Sequence, residues 1–228
     1  MFCHSFEHAK RYSMIKGQIN NIYQLGSDDP ESMVILLHGL GSNGQDLISL
    51  APFFAKDLPN TIFISPDAPF ACDMVPPGYP DSYQWFSLQD RDPHKILQGV
   101  ESAAPILQGF IEQQLQKYNV APGKLVLCGF SQGTMMSLHV ALRYPERLAG
   151  VLGYSGALNA EPGPQKIPVH LIHGEADDVV PVDAYNHARE ILQQNGFEVT
   201  GHTTPGLAHS IDEKGIESGT AFLKAQLE

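Results

Sequence analysis

The chain is poor in several things, and each scarcity excludes a class of protein. Only three of its 228 residues are cysteine. Cys3 is near the terminus, Cys72 lies in a Pro-rich segment and Cys128 in an apolar run. An odd, scattered set does not make the disulfide framework that staples small secreted domains, so a reducing, cytoplasmic setting is expected. Positive charge is scarce as well: 14 Lys and Arg against 25 Asp and Glu leave a formal net charge of -11. Such a surface repels phosphate backbones and anionic membranes, which argues against a nucleic-acid partner. Long apolar runs are missing. The most apolar short stretch, residues 33–37, is far too short to span a bilayer. Residues 1–16 carry His4, Glu7, His8, Lys10 and Arg11, so they lack the apolar stretch of a signal peptide. They read as a loosely ordered extension of a single domain over 1–228. Internal repeats and low-complexity tracts are absent too.

What is present is ordinary globular material, 43% hydrophobic and 17% charged, enough for a real core. Short β-rich runs alternate with helical patterns. Runs at 33–38, 61–65, 124–128, 148–154 and 169–173 are nearly continuous in apolar residues, as expected of strands covered on both faces. A weaker run spans 197–203. Helices are expected over 46–56, 105–118, 132–144, 183–195 and 215–227. Pro105 suits a helix start, because a first-turn residue needs no N–H donor. Gly123 and Gly196 read as helix stops. Alternating strands and helices imply an α/β fold with a mostly parallel sheet and helices on both faces. In such a sheet the chemistry gathers at the carboxyl ends of the strands. That directs attention to the loops after His38, Phe130, His173 and Thr203. Residues 66–92, rich in Pro, Gly and aromatics around Trp85-Phe86, read as a long ordered loop, either functional or packed over the sheet edge.

Gly129-Phe130-Ser131-Gln132-Gly133 follows an apolar strand and opens a helix. This context turns a weak Gly-x-Ser-x-Gly pattern into a strong nucleophile signal. A serine hydroxyl attacks only when a base takes its proton. His209, between the last strand and the last helix, stands where such a base is expected, since the order in this arrangement is Ser, acid, His. His139 lies more than two helical turns from Ser131 and is a poor base candidate. His38 is expected to support the turn that follows it. The acid is expected from the loop after His173, which offers Asp177, Asp178 and Glu175, preferred in that order. An oxyanion needs two backbone donors. The amide of Gln132 supplies one, and that of Leu40, in His38-Gly39-Leu40-Gly41, supplies the other. A Walker-type phosphate loop is excluded at this turn, because Gly44 is followed by Gln45.

Together these pieces resemble the phospholipase/carboxylesterase family of α/β-hydrolases, which includes acyl-protein thioesterases. The resemblance rests on Leu37-His-Gly-Leu-Gly-Ser-Asn-Gly44, Pro66-Asp-Ala-Pro69 with Trp85-Phe86, Gly129-Phe-Ser-Gln-Gly133, His173-Gly-Glu-Ala-Asp177 with Val180-Pro181, and Gly206-Leu-Ala-His209. It covers the chain from about residue 33 onward. It selects Asp177 as the acid. One departure is Asp178, where the family usually has proline. The resemblance implies hydrolysis of carboxylic esters or thioesters, with small-molecule or lipid substrates, no metal, no cofactor, little or no lid, and often a homodimer. Apolar acyl contacts are expected at Leu40, Trp85 and Phe86, although the two aromatics also suit plain core packing.

Other readings lead elsewhere. A metal hydrolase would draw on His170 and His173, but three residues apart on a strand they point to opposite faces. A dienelactone-hydrolase-like enzyme would carry cysteine where Ser131 stands. A binding module of the same fold would not need Ser131, Asp177 and His209 together.

Overall fold

The structure, a computed structural model, describes residues 18–76 and 78–228. The expected N-terminal extension, with Cys3, His4 and His8, lies outside them. Nine strands follow in chain order: β1 (Ile22–Gly26), β2 (Ser32–Leu37), β3 (Thr61–Pro66), β4 (Phe70–Ala71), β5 (Tyr83–Gln84), β6 (Leu125–Phe130), β7 (Gly150–Tyr154), β8 (Val169–Gly174) and β9 (Val199–Thr204). Six α-helices accompany them: α1 (Gly44–Ile48), α2 (Ala51–Ala55), α3 (Pro93–Tyr118), α4 (Gln132–Ala141), α5 (Asp183–Gln194) and α6 (Glu213–Leu227).

Seven strands form one sheet in the order β1-β3-β2-β6-β7-β8-β9. All pairings are parallel except β1 on β3. Each of β2, β3, β6, β7 and β8 is buried on both faces, or nearly so, which explains their unbroken apolar runs. Alternate residues feed two cores. On one face Met33, Ile35, Leu127 and Val151 meet α3, α4 and α5. On the other Val34, Leu36, Phe63 and Leu152 meet α2 and α6. Helix α4 has no exposed residue. It packs against β2, β6 and β7 and against α3, and it starts directly after the carboxyl end of β6.

Four expectations need correction. Strand β1 was not foreseen: it is an edge strand whose residues are mostly exposed, so it lacks an apolar run. The helix expected over 46–56 is two short helices. Pro52, at the start of α2, has no N–H for the Ile48 carbonyl and its ring would crowd it. Helix α3 begins at Pro93, with Asp92 capping the N–H groups of His94 and Lys95, and Pro105 lies inside it. Pro105 and Glu101, whose carbonyl loses its partner, are both exposed, so water can serve the freed oxygen. Finally, Gly123 does not stop α3. Asn119 does so in the left-handed conformation, at φ 52°, and Gly123 sits in a short 3-10 turn.

Candidate active site

Strand β6 delivers the chain to Ser131 and α4 carries it away. Ser131 takes φ 54° and ψ -116°, a conformation that a side chain rarely adopts. Its N–H donates to the Tyr154 carbonyl on β7 (2.9 Å), which ties the turn to the neighbouring strand. The flanking glycines are required sterically. A Cβ at Gly133 would collide with the Leu37 carbonyl oxygen, and one at Gly129 with the Gly133–Thr134 backbone. The turn therefore closes only because two side chains are missing.

The loop after β8 brings in Asp177, whose side chain has no solvent exposure. One carboxylate oxygen accepts the N–H groups of Val179 (3.0 Å) and Val180 (2.8 Å). The other is 2.7 Å from Nδ1 of His209. Burial pushes the Asp177 carboxyl up, but the bonds from His209, Val180 and Val179 outweigh it and leave the carboxyl below its usual value. His173 packs beside the pair, with Nε2 2.8 Å from the Val180 carbonyl and 3.4 Å from Asp177. Gly174 gives the His209 loop room, since a Cβ there would strike the Leu207 and Ala208 carbonyls. Asp178 and Glu175 are exposed, and Glu175 accepts the Thr203 hydroxyl instead.

Ser131 and His209 line one cavity of about 450 Å³. No hydrogen bond joins them among the described residues; nucleophile–base contacts commonly tighten only with substrate in place. Leu40 lines the same cavity. Neither the Leu40 nor the Gln132 amide is taken up by a backbone acceptor among the described residues. The Leu40 turn is braced by His38. Its Nε2 accepts the Ala68 N–H (2.9 Å) and Nδ1 is 2.7 Å from the Gly39 carbonyl. The first bond requires an unprotonated Nε2, so Nδ1 carries the proton and donates. Burial holds this ring's pKa below its ordinary value, in keeping with that neutral form.

Trp85 and Phe86 do not line the cavity, so the expected acyl contacts there are corrected. Both are buried among the α3 and α4 side chains. Their role in the site is indirect: Trp85 donates its indole N–H to the His38 carbonyl (3.0 Å). Beside Leu40, as expected, the apolar wall comes from residues for which no acyl contact was expected, including Leu47, Leu88, Ile96, Met135 and Val180. They are dispersed over α1, α3, α4, the loop before α3 and the loop after β8, and no local pattern marks them as one wall. His170 and His173 do point apart. His170 bonds Thr200 and Ser218 and stacks on Phe222 of α6, on the other face.

A mostly parallel sheet with helices on both faces, and a serine turn between strand and helix, define an α/β-hydrolase. Residues 21–227 match the family described as Phospholipase/Carboxylesterase, and the chain belongs to that family. It is a carboxylic-ester hydrolase. It is 28% identical over 238 residues to acyl-protein thioesterase 1 of Gibberella zeae, covering 94% of this chain and 98% of that one. A probable carboxylesterase of Oryza sativa is 30% identical over 213 residues, covering 86% of this chain and 78% of the relative. Among solved structures, esterase PE8 is similar at 36% identity with a TM-score of 0.84, covering 93% of this chain and 100% of the other.

Proposed function

We propose that the chain cleaves carboxylic esters or thioesters through an acyl-serine formed on Ser131. The 2.7 Å Asp177–His209 contact, beside a strained serine on the same cavity, carries this reading. Asp177 accepts from Nδ1 and so leaves Nε2 as the basic nitrogen. As Ser131 attacks the acyl carbonyl, His209 takes its proton. The amides of Leu40 and Gln132 hold the oxyanion, aided by the positive end of α4. His209 then protonates the departing alcohol or thiol, and water repeats the sequence to free the acid. The thioesterase named among the relatives supports thioesters as one substrate class, and the apolar cavity wall supports an acyl chain. Ser131→Ala should abolish turnover of a short p-nitrophenyl ester and labelling by a fluorophosphonate. Activity near that of the unmodified protein would overturn the proposal.

A further inference from the structure

We infer that Arg91 makes this cavity selective for acyl groups that end in a carboxylate, such as half-esters of dicarboxylic acids. The inference rests on the acyl-serine reading of the same cavity and adds the substrate class. The wall around Ser131 and His209 is mostly apolar, and Arg91 is the cavity's one lysine or arginine. Among the described residues the Arg91 guanidinium forms no ion pair. Its two acidic neighbours in sequence keep their charge but bond backbone N–H groups and form no ion pair with it: Asp90 accepts the Asp92 N–H, and Asp92 caps the first turn of α3. The one carboxylate in the cavity lining, Asp46, accepts the Ser42 hydroxyl.

Leu88 and Ile96 stand on either side of Arg91 in sequence, and both line the cavity. They offer apolar surface for methylenes in the cavity that Arg91 also lines. A guanidinium presents paired donors that match a carboxylate's two oxygens. The net charge of -11 repels anions generally, so a local cation decides whether an anionic acyl group can enter. Arg91 is exposed and needs no buried partner, so its replacement leaves the core intact. It is a specificity residue and takes no part in the bond changes.

The test compares monomethyl adipate with dimethyl adipate, following acid release by pH-stat. The two share a chain and a scissile methyl ester and differ at the far end, a carboxylate in one and a second methyl ester in the other, so initial rates are compared per ester group. The unmodified protein should prefer the half-ester, and added NaCl should erode that preference, because exposed charges are screened. Arg91→Gln should lower the half-ester to diester ratio of kcat/KM about tenfold, through KM, and Arg91→Glu should lower it further. Diester hydrolysis should change by less than about twofold in both variants. A ratio that stays constant, or equal losses on both esters, overturns the inference. Diester turnover surviving in Ser131→Ala would instead overturn the acyl-serine reading, so the two failures are distinguishable.

Discussion

Gln132 holds the backbone at Trp85 by two bonds. Its Oε1 accepts the Trp85 N–H at 2.9 Å, and its Nε2 donates to the next carbonyl, that of Phe86, at 2.8 Å. Trp85 in turn donates its indole N–H to the His38 carbonyl. The residue after Ser131 is thereby tied, through segment 66–92, to the turn that carries Leu40. The segment links both proposed oxyanion amides.

Gln132→Ala keeps its own backbone amide but strips two buried groups of their partners. Each stranded group costs about 1–3 kcal/mol. The variant should melt at a lower temperature, and kcat should fall at least about tenfold as the two donors lose their common anchor. Calorimetry and steady-state kinetics check both. Full kcat with a lowered melting point would separate the anchor from catalysis.

Asp177 and Asp178 are adjacent, yet only Asp177 is buried and bonded to His209. Asp177→Asn should lower kcat by roughly 10³–10⁴-fold, since an amide no longer holds the needed tautomer. Asp178→Asn should leave kcat within about twofold, as an exposed change. Reversed magnitudes in ester turnover would reassign the acid.

Glycine positions divide sharply by what surrounds them. A side chain at Gly133 would strike the Leu37 carbonyl, whereas Gly109 in α3 faces open space. Gly133→Ala should fail to yield soluble folded protein. Gly109→Ala should stabilise by about 0.5–1 kcal/mol, from helix propensity. Denaturant midpoints measure the second, and soluble yield the first.

The same contrast explains what could be read from the chain alone. Both-face burial writes itself as continuous apolar runs, so the central strands were legible, as was the glycine-flanked serine turn. Asp177 and His209 were foreseeable because each follows a strand end in the required order. Strand β1 left no such mark, being paired on one edge and wet on both faces. The start of α3 was signalled by Asp92-Pro93, an N-cap followed by a first-turn proline, but Pro105 gave a competing start signal. Beyond Leu40, the cavity wall was illegible because Leu47, Leu88, Met135 and Val180 meet only in three dimensions.

His139 and His170 should make stability fall on mild acidification. Burial foremost, then Arg143 beside His139 and His202 beside His170, holds each ring neutral down to about 4. In the unfolded chain each takes a proton near pH 6.5. Between those values the unfolded state binds more protons, so stability drops as pH falls, by up to about 1.4 kcal/mol per pH unit for each histidine. His38 and His202, also lowered by burial, act in the same direction. The lowered Asp177 carboxyl works later: its contribution is present above its unfolded value of 3.8 and is lost on further acidification. Urea midpoints from pH 7 to 4 should show a shallower slope for His170→Gln than for the unmodified protein. Parallel curves would contradict it.

With Ser131 as the proposed nucleophile, its positive φ sets catalysis and thermal resistance against each other at one position. A residue with a side chain at that φ and ψ costs of order 1–3 kcal/mol, and glycine there costs far less. Ser131→Gly should be inert and yet harder to melt. A library of this chain selected only for survival of heating is therefore drawn toward glycine at 131. Selection for a hardier enzyme must score turnover in every round, or it will enrich a more stable protein that no longer cuts esters.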